Sequence, residues 1–169
     1  SGTSDNNASS HPINALTNAN FQTAVNLWFS DEANATSTYG HISDWNTSAV
    51  TNMASAFENR SSFNENISNW DTSSVATMSQ MFMGASSFNQ PIGNWNLSSV
   101  TTLFQTFLGA TAFNQDISNW NTSSVTTFSR LFKDATSFDH NITDWNTSSV
   151  TSLDRAFMGA TAFNKPLNG

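Results

Sequence analysis

Hydrophobic residues recur along this chain at a fixed spacing of 25, separated by polar runs of Ser, Thr and Asn. Trp120 has counterparts at Trp45, Trp70, Trp95 and Trp145, and Val125 at Val50, Val75, Val100 and Val150. One further column is Ile42, Ile67, Ile92, Ile117, Ile142 and Leu167, and another is Met53, Met78, Leu103, Phe128 and Leu153. Two phenylalanine columns follow: Phe57, Phe82, Phe107, Phe132 and Phe157, then Phe63, Phe88, Phe113, Phe138 and Phe163. A unit of this size cannot bury its apolar face alone, so the pattern predicts coils stacked column on column. Each buried Phe or Ile contributes about 1.5–3 kcal/mol before the entropy cost of ordering it.

Within a repeat, Val75, Met78, Phe82 and Ala85 lie at i, i+3, i+7 and i+10, which predicts one face of a helix of about three turns. Asn46, Asp71, Asn96, Asn121 and Asn146 stand at its start as helix N-caps, with Trp70 and Val75 as a hydrophobic staple. Gly84, Gly109, Gly159, Asn59 and Asp134 stand at its end, where a left-handed residue stops a helix. In the first half of the repeat, Pro91 lacks an N–H, so any strand is short and begins after it, such as Ile92 to Trp95. These signals predict an α/β repeat solenoid of about five 25-residue coils, each a very short parallel strand plus a short helix. Parallel strands stack at about 4.8 Å and helices at about 8–10 Å, so such coils would curve.

Before the repeats, Phe21, Val25, Trp28 and Phe29 recur at helical spacing after Asn20, a candidate N-cap. This segment predicts an N-terminal helical cap over the first coil. Asp31 to Thr38 reads as a polar connector. The organisation expected is a flexible arm at 1–12, a capping segment at 13–38 and the repeat array at 39–169. The chain ends on the opening of a sixth copy, from Phe163, with no closing cap; either the protein continues or that end is partly exposed.

Composition narrows the function. Charged residues make up 10% of the chain and the formal net charge is -7. Nucleic acid and anionic membrane surfaces, which need basic side chains, are therefore poor partners. Cysteine is absent, which excludes disulfides and thiolate metal sites. No apolar run approaches the length of a membrane span.

Candidate chemistry is sparse. His11, His41 and His140 read as isolated surface histidines, and no metal or cofactor is expected. The acids are scattered, with Asn replacing Asp44 and Asp144 in other repeats, so no catalytic residue is assigned and no enzyme activity is expected. Calcium loops are not recognisable around Asp116, Asp139 or Asp144. Asn64, Asn89, Asn114, Asp139 and Asn164 form a register-perfect ladder, read as a structural stack bonding backbone groups at the corners. Threonine pairs at Thr101-Thr102 and Thr126-Thr127 fall on the expected outer helix faces, interrupted by Asn52 and Ala76, which disfavours ice binding. Ligand binding is placed instead where the repeat varies: Met83, Phe104, Leu108 and Met158 are apolar where the helix should face outward, and His140 stands in another variable column.

The runs FNQDISNWNTSSVTTF and FNQPIGNWNLSSVTTL carry a family resemblance. Phe88-Asn89-Gln90, Ile67 to Trp70, Thr72-Ser73 and Val75 to Phe82 match its signature, over about three quarters of the chain. The chain resembles the bacterial surface protein 26-residue repeat family, relatives of the BspA-like leucine-rich-repeat surface proteins. Its uniform 25-residue period departs from that family, as do Leu103 and Phe128 in place of Met. The resemblance implies a leucine-rich-repeat-like fold and an extracellular or cell-surface location. It also implies adhesion or recognition of a protein or glycan. The alternative is a structural spacer within a larger surface protein.

Overall fold

Two helices open the chain in a computed structural model that describes residues 13–167; the arm expected at 1–12, with His11, lies outside them. Helix α1 (Phe21–Ser30) buries Phe21, Ala24, Val25 and Trp28, the one-sided stripe its spacing predicts. Asn20 stands before it, but its Oδ1 accepts from the Thr17 N–H at 2.8 Å and so closes the preceding turn. The segment expected as a polar connector is largely a second helix, α2 (Glu32–Tyr39). Asp31 caps it by accepting from the Asn34 N–H at 3.1 Å. Only Ala35 of α2 is buried, which is why no apolar period marked it. A 3₁₀ helix, Ile42–Asp44, leads into the repeats.

From there on, the expected strand-and-helix coil is wrong. Among the described residues no strand or sheet forms, and no helix follows the 3₁₀ turn. The coils are strings of turns, linked by isolated parallel bridges through Asn52, Thr77, Thr102, Thr127 and Ser152. These bridges fall inside the segment expected to be helical, while Ile92 to Trp95, expected as a strand, is built around a turn. The α/β leucine-rich-repeat-like solenoid is thereby overturned. So is the argument for curvature, which needed helices on one side.

The backbone gives the physical reason. Gln80 has φ +60°, and Ser55, Gln105, Arg130 and Arg155 in register lie between +53° and +58°. A residue in the left-handed region breaks a right-handed helix. The amides then divide their bonding. Those of Met81, Met83 and Ala85 reach back three residues, to the carbonyls of Met78, Gln80 and Phe82 at 3.0–3.2 Å. Those of Gln80, Phe82 and Gly84 reach forward to the next coil, to the carbonyls of Phe104, Thr106 and Leu108 at 2.8–2.9 Å. A helix would spend every one of these amides on its own segment. Ser, Thr and Asn are weak helix formers, so the arrangement that also bonds neighbouring coils prevails. Gly84 is left-handed at φ +70°, as its stop signal requires, but it makes a turn corner, not a helix end.

Burial nonetheless follows the columns. Val75, Met78, Phe82 and Ala85 are all fully buried. Within a coil, the two phenylalanines stack face to face: Phe82 on Phe88 at 4.2 Å and Phe107 on Phe113 at 4.1 Å between centroids. Between coils, Phe82 stacks on Phe107 at 5.5 Å and Phe107 on Phe132 at 5.7 Å. Each such pair adds about 0.5–1.5 kcal/mol to the area it buries. The tryptophans are not staples for a helix entrance. Their Nε1–H groups donate across to the preceding coil: Trp70 to the Ile42 carbonyl, Trp95 to Ile67, Trp120 to Ile92 and Trp145 to Ile117, all at 2.8–3.1 Å.

The N-terminal segment supplies to the first coil what a preceding coil supplies elsewhere. Thr101 and Thr126 donate their N–H groups to the preceding coil; Thr51 donates its own to Asn18 Oδ1 at 2.9 Å. Gln22 Nε2 donates to the Ala56 carbonyl at 3.2 Å. Phe29 meets Phe57 and Phe63 edge-on at 6.2 and 5.7 Å, and the Arg60 guanidinium lies 4.3 Å from the centre of its ring.

Candidate functional site

Three surfaces emerge once the core is set aside. The first is the asparagine ladder. Oδ1 of Asn64 accepts from the Asn89 N–H, Asn89 from Asn114, Asn114 from Asp139 and Asp139 from Asn164, each at 2.9–3.0 Å. The ladder sits at the rim of the stack, with Asn64, Asn89, Asn114 and Asn164 exposed and Asp139 half-buried. The neighbouring variable column bonds back onto it. Gln90 Nε2 donates to the Asn64 carbonyl at 2.9 Å, Gln115 Nε2 to that of Asn89 at 3.1 Å, and His140 Nε2 lies 3.1 Å from that of Asn114. His140 therefore belongs to this rim.

The second surface is the column Glu58, Met83, Leu108, Lys133 and Met158. Met83 and Leu108 are half-buried on successive coils, and Met158 is 53% exposed. Lys133 separates Leu108 from Met158 and pairs with Asp134 at 3.1 Å. Phe104 lies in the column of Ser79 and Ser129 and is half-buried. The five residues singled out from the sequence thus occupy three columns of the repeat.

The third surface was not legible as a site. On the last coil, Phe128, Ile142, Trp145, Leu153, Phe157 and Leu167 help to line an open, mostly apolar cavity of about 700 Å³. Charge gathers beside it. Arg130 and Arg155 replace the left-handed Gln80 and Gln105 of earlier coils, where Gln80 Nε2 donates to Gln105 Oε1 at 2.7 Å. Arg130 Nε is buried and stands 3.9 Å from the Asp154 carboxylate, too far for a hydrogen bond.

The residues expected to cap helices cap turns instead. Oδ1 of Asn46, Asp71, Asn96, Asn121 and Asn146 accepts from the N–H two residues on, at 2.9–3.0 Å, in Asx turns. The hydroxyl of Ser73, and then its N–H, hold the Asp71 carboxyl below its ordinary range. Ser118 does the same for Asp116. The threonine rows are also relocated. Thr101, Thr126 and Thr151 are exposed beside the inter-coil bridges, and each hydroxyl donates to the preceding coil's carbonyl at 3.1–3.2 Å.

One group of metal-ligating side chains comes together among the described residues: Glu32, His41 and Glu65. Sequence reasoning missed it by counting histidines with histidines. The available signal was the offset of 24 from His41 to Glu65, the same offset that joins amide to carbonyl between coils.

The chain matches the family described as "Mycoplasma protein of unknown function, DUF285" over residues 23–118 and 92–169. Searches of curated proteins and of solved structures give no match. No helix among the described residues is long and apolar enough to cross a membrane.

Proposed function

Since the chain belongs to the DUF285 family, a surface-associated repeat family of unknown function, we propose that it is a non-enzymatic surface module that recognises a protein or glycan ligand. The reading rests on one observation. Within a scaffold that repeats every 25 residues, the column Glu58, Met83, Leu108, Lys133 and Met158 changes chemistry from coil to coil. A column that only held coils together would gain nothing from that change, whereas a recognition surface is built from such differences. An extracellular or cell-surface location and a BspA-like kinship belong to this same reading.

The test is a screen of the full chain against arrays of cell-surface glycans and proteins. It is followed by Met83→Ser with Leu108→Ser. Binding that falls at least tenfold in the double variant supports the proposal; a blank screen sinks it.

The second reading is a structural spacer. Uniform inter-coil bonding favours it, because any coil of this design stacks on any other. Exchanging whole coils separates the two: a recognition module loses binding when coil order changes, and a spacer is indifferent. Ice binding is a third reading, motivated by the exposed row Thr101, Thr126 and Thr151; it is weakened because each hydroxyl donates to the preceding coil's carbonyl and Ala76 interrupts the row. Absence of thermal hysteresis would remove that reading.

A further inference from the structure

We propose that Glu32, His41 and Glu65 form a binding site for a divalent transition-metal cation, with Zn²⁺ the preferred ion. One ligand atom from each side chain lies within 4.8 Å of the other two. Zn–N and Zn–O bonds of about 2.0–2.2 Å place tetrahedral ligand atoms about 3.4 Å apart, so closure needs a shift of about an ångström. Glu32 is exposed and Glu65 half-buried, which leaves both carboxylates free to make that shift by a change of rotamer.

The imidazole is already held. Its ring meets Trp28 edge-to-face, with centroids 4.9 Å apart and planes at 82°. Its Nδ1 lies 2.7 Å from Ser43 Oγ. With Nδ1–H donating to that hydroxyl, Nε2 keeps its lone pair for the ion; the longer contact from the Ser43 N–H, at 3.2 Å, is the one given up. The hydroxyl contact orients the ring, and binding of the ion selects the Nδ1–H tautomer over the one in which Nδ1 accepts from the Ser43 N–H.

Charge points the same way. Among the described residues, none of the four ion pairs involves Glu32 or Glu65. Two carboxylates therefore converge on a histidine without a lysine or arginine between them, in a chain of net charge -7. A dication would balance both. The imidazole selects the class, since calcium and magnesium take oxygen donors while zinc and its neighbours accept nitrogen.

The three ligands come from separate parts of the fold. Glu32 opens α2, His41 precedes the 3₁₀ turn, and Glu65 belongs to the column of Gln90, Gln115, His140 and Lys165. A bound ion would tie the covering helices to the first two coils.

The experiment is calorimetric titration of the full chain with ZnCl₂, CaCl₂ and MgCl₂, with thermal unfolding with and without EDTA. One zinc site is expected, with a rise in Tm that EDTA reverses and no comparable effect of calcium or magnesium. Glu65→Gln should weaken zinc at least tenfold; glutamine already stands in this column at Gln90 and Gln115, so the fold is preserved. His41→Gln should do the same, and His140→Gln should change nothing. No zinc binding, binding unmoved by Glu65→Gln, or calcium binding equal to zinc would each overturn the assignment.

Discussion

The two ends of the stack hold the same repeat in different surroundings. Met53, in the first coil, is fully buried beneath the helical segment; Leu103, in the middle, is fully buried between coils; Leu153, in the same register on the last coil, is 58% exposed. Phe107 is fully buried, whereas Phe157 is only partly so. The residue types barely differ. A coil therefore does not own its core; its neighbours complete it. The first coil shows the same rule from the other side, because Asn18, Gln22 and Phe29 take the places of a preceding coil's polar and aromatic groups. Nearest-neighbour stacking of this kind makes stability a sum of coil and interface contributions.

The largest expected contrast comes from deleting one phenylalanine at each position. Phe107→Ala removes a ring in contact with Phe82, Phe113 and Phe132 and should cost about 3–5 kcal/mol in denaturant unfolding. Phe157→Ala, with stacking on one side only, should cost clearly less. Equal losses would break the comparison.

Next in size is the indole tie. Trp120→Phe keeps most of the ring but removes one of the two donors to the Ile92 carbonyl, which retains the Trp95 N–H at 3.2 Å. Unfolding should be easier by about 1–2 kcal/mol, one buried hydrogen bond together with part of the ring's packing. Trp45 donates at 2.8 Å to Gly40, in the connection to α2, so Trp45→Phe tests the same bond at the covered end.

The covering segment gives a smaller effect. Asn18→Ala deletes the acceptor of the Thr51 N–H and the donor to the Thr51 hydroxyl at 2.7 Å. Because the site is exposed, a loss of about 0.5–1.5 kcal/mol is expected, read as faster amide exchange at Thr51.

The smallest effect is at the Asx turns. Asp71→Asn should be nearly neutral at pH 7, since Asn46, Asn96, Asn121 and Asn146 fill the same turn. Below the ordinary carboxylate value of 3.8 the two proteins should diverge. The folded Asp71 carboxyl is held low, so its contribution is complete above that value and is lost as pH falls through the folded value. The wild type should weaken along that limb and the Asn variant should lack this component. Acid titration of unfolding checks the sign.

Much of this was legible in the letters. The 25-residue register, the buried columns, the first helix and the asparagine ladder all follow from apolar spacing and from side-chain chemistry. The local conformation did not. Val75, Met78, Phe82 and Ala85 have a helical period, but Gln80 is left-handed, and a glutamine carries no mark of that. The decision lies in bonds between coils, which a pattern within one coil cannot express. Met83, Phe104, Leu108, His140 and Met158 were chosen as deviations from the repeat and stand in three of its columns. Glu32, His41 and Glu65 were unremarkable singly and meet only through the stacking offset and the placing of α2.

Amide hydrogen exchange, residue by residue, tests most directly the claim that each coil is completed by its neighbour. In the middle coil, the N–H groups of Gln105, Phe107 and Gly109 donate to the carbonyls of Ser129, Leu131 and Lys133 at 2.8–3.0 Å. Their counterparts Arg155, Phe157 and Gly159 have no acceptor among the described residues. The first three should be protected to near the free energy of global unfolding, and the last three should exchange close to the rate of an open chain. Equal protection of the two sets would contradict the account.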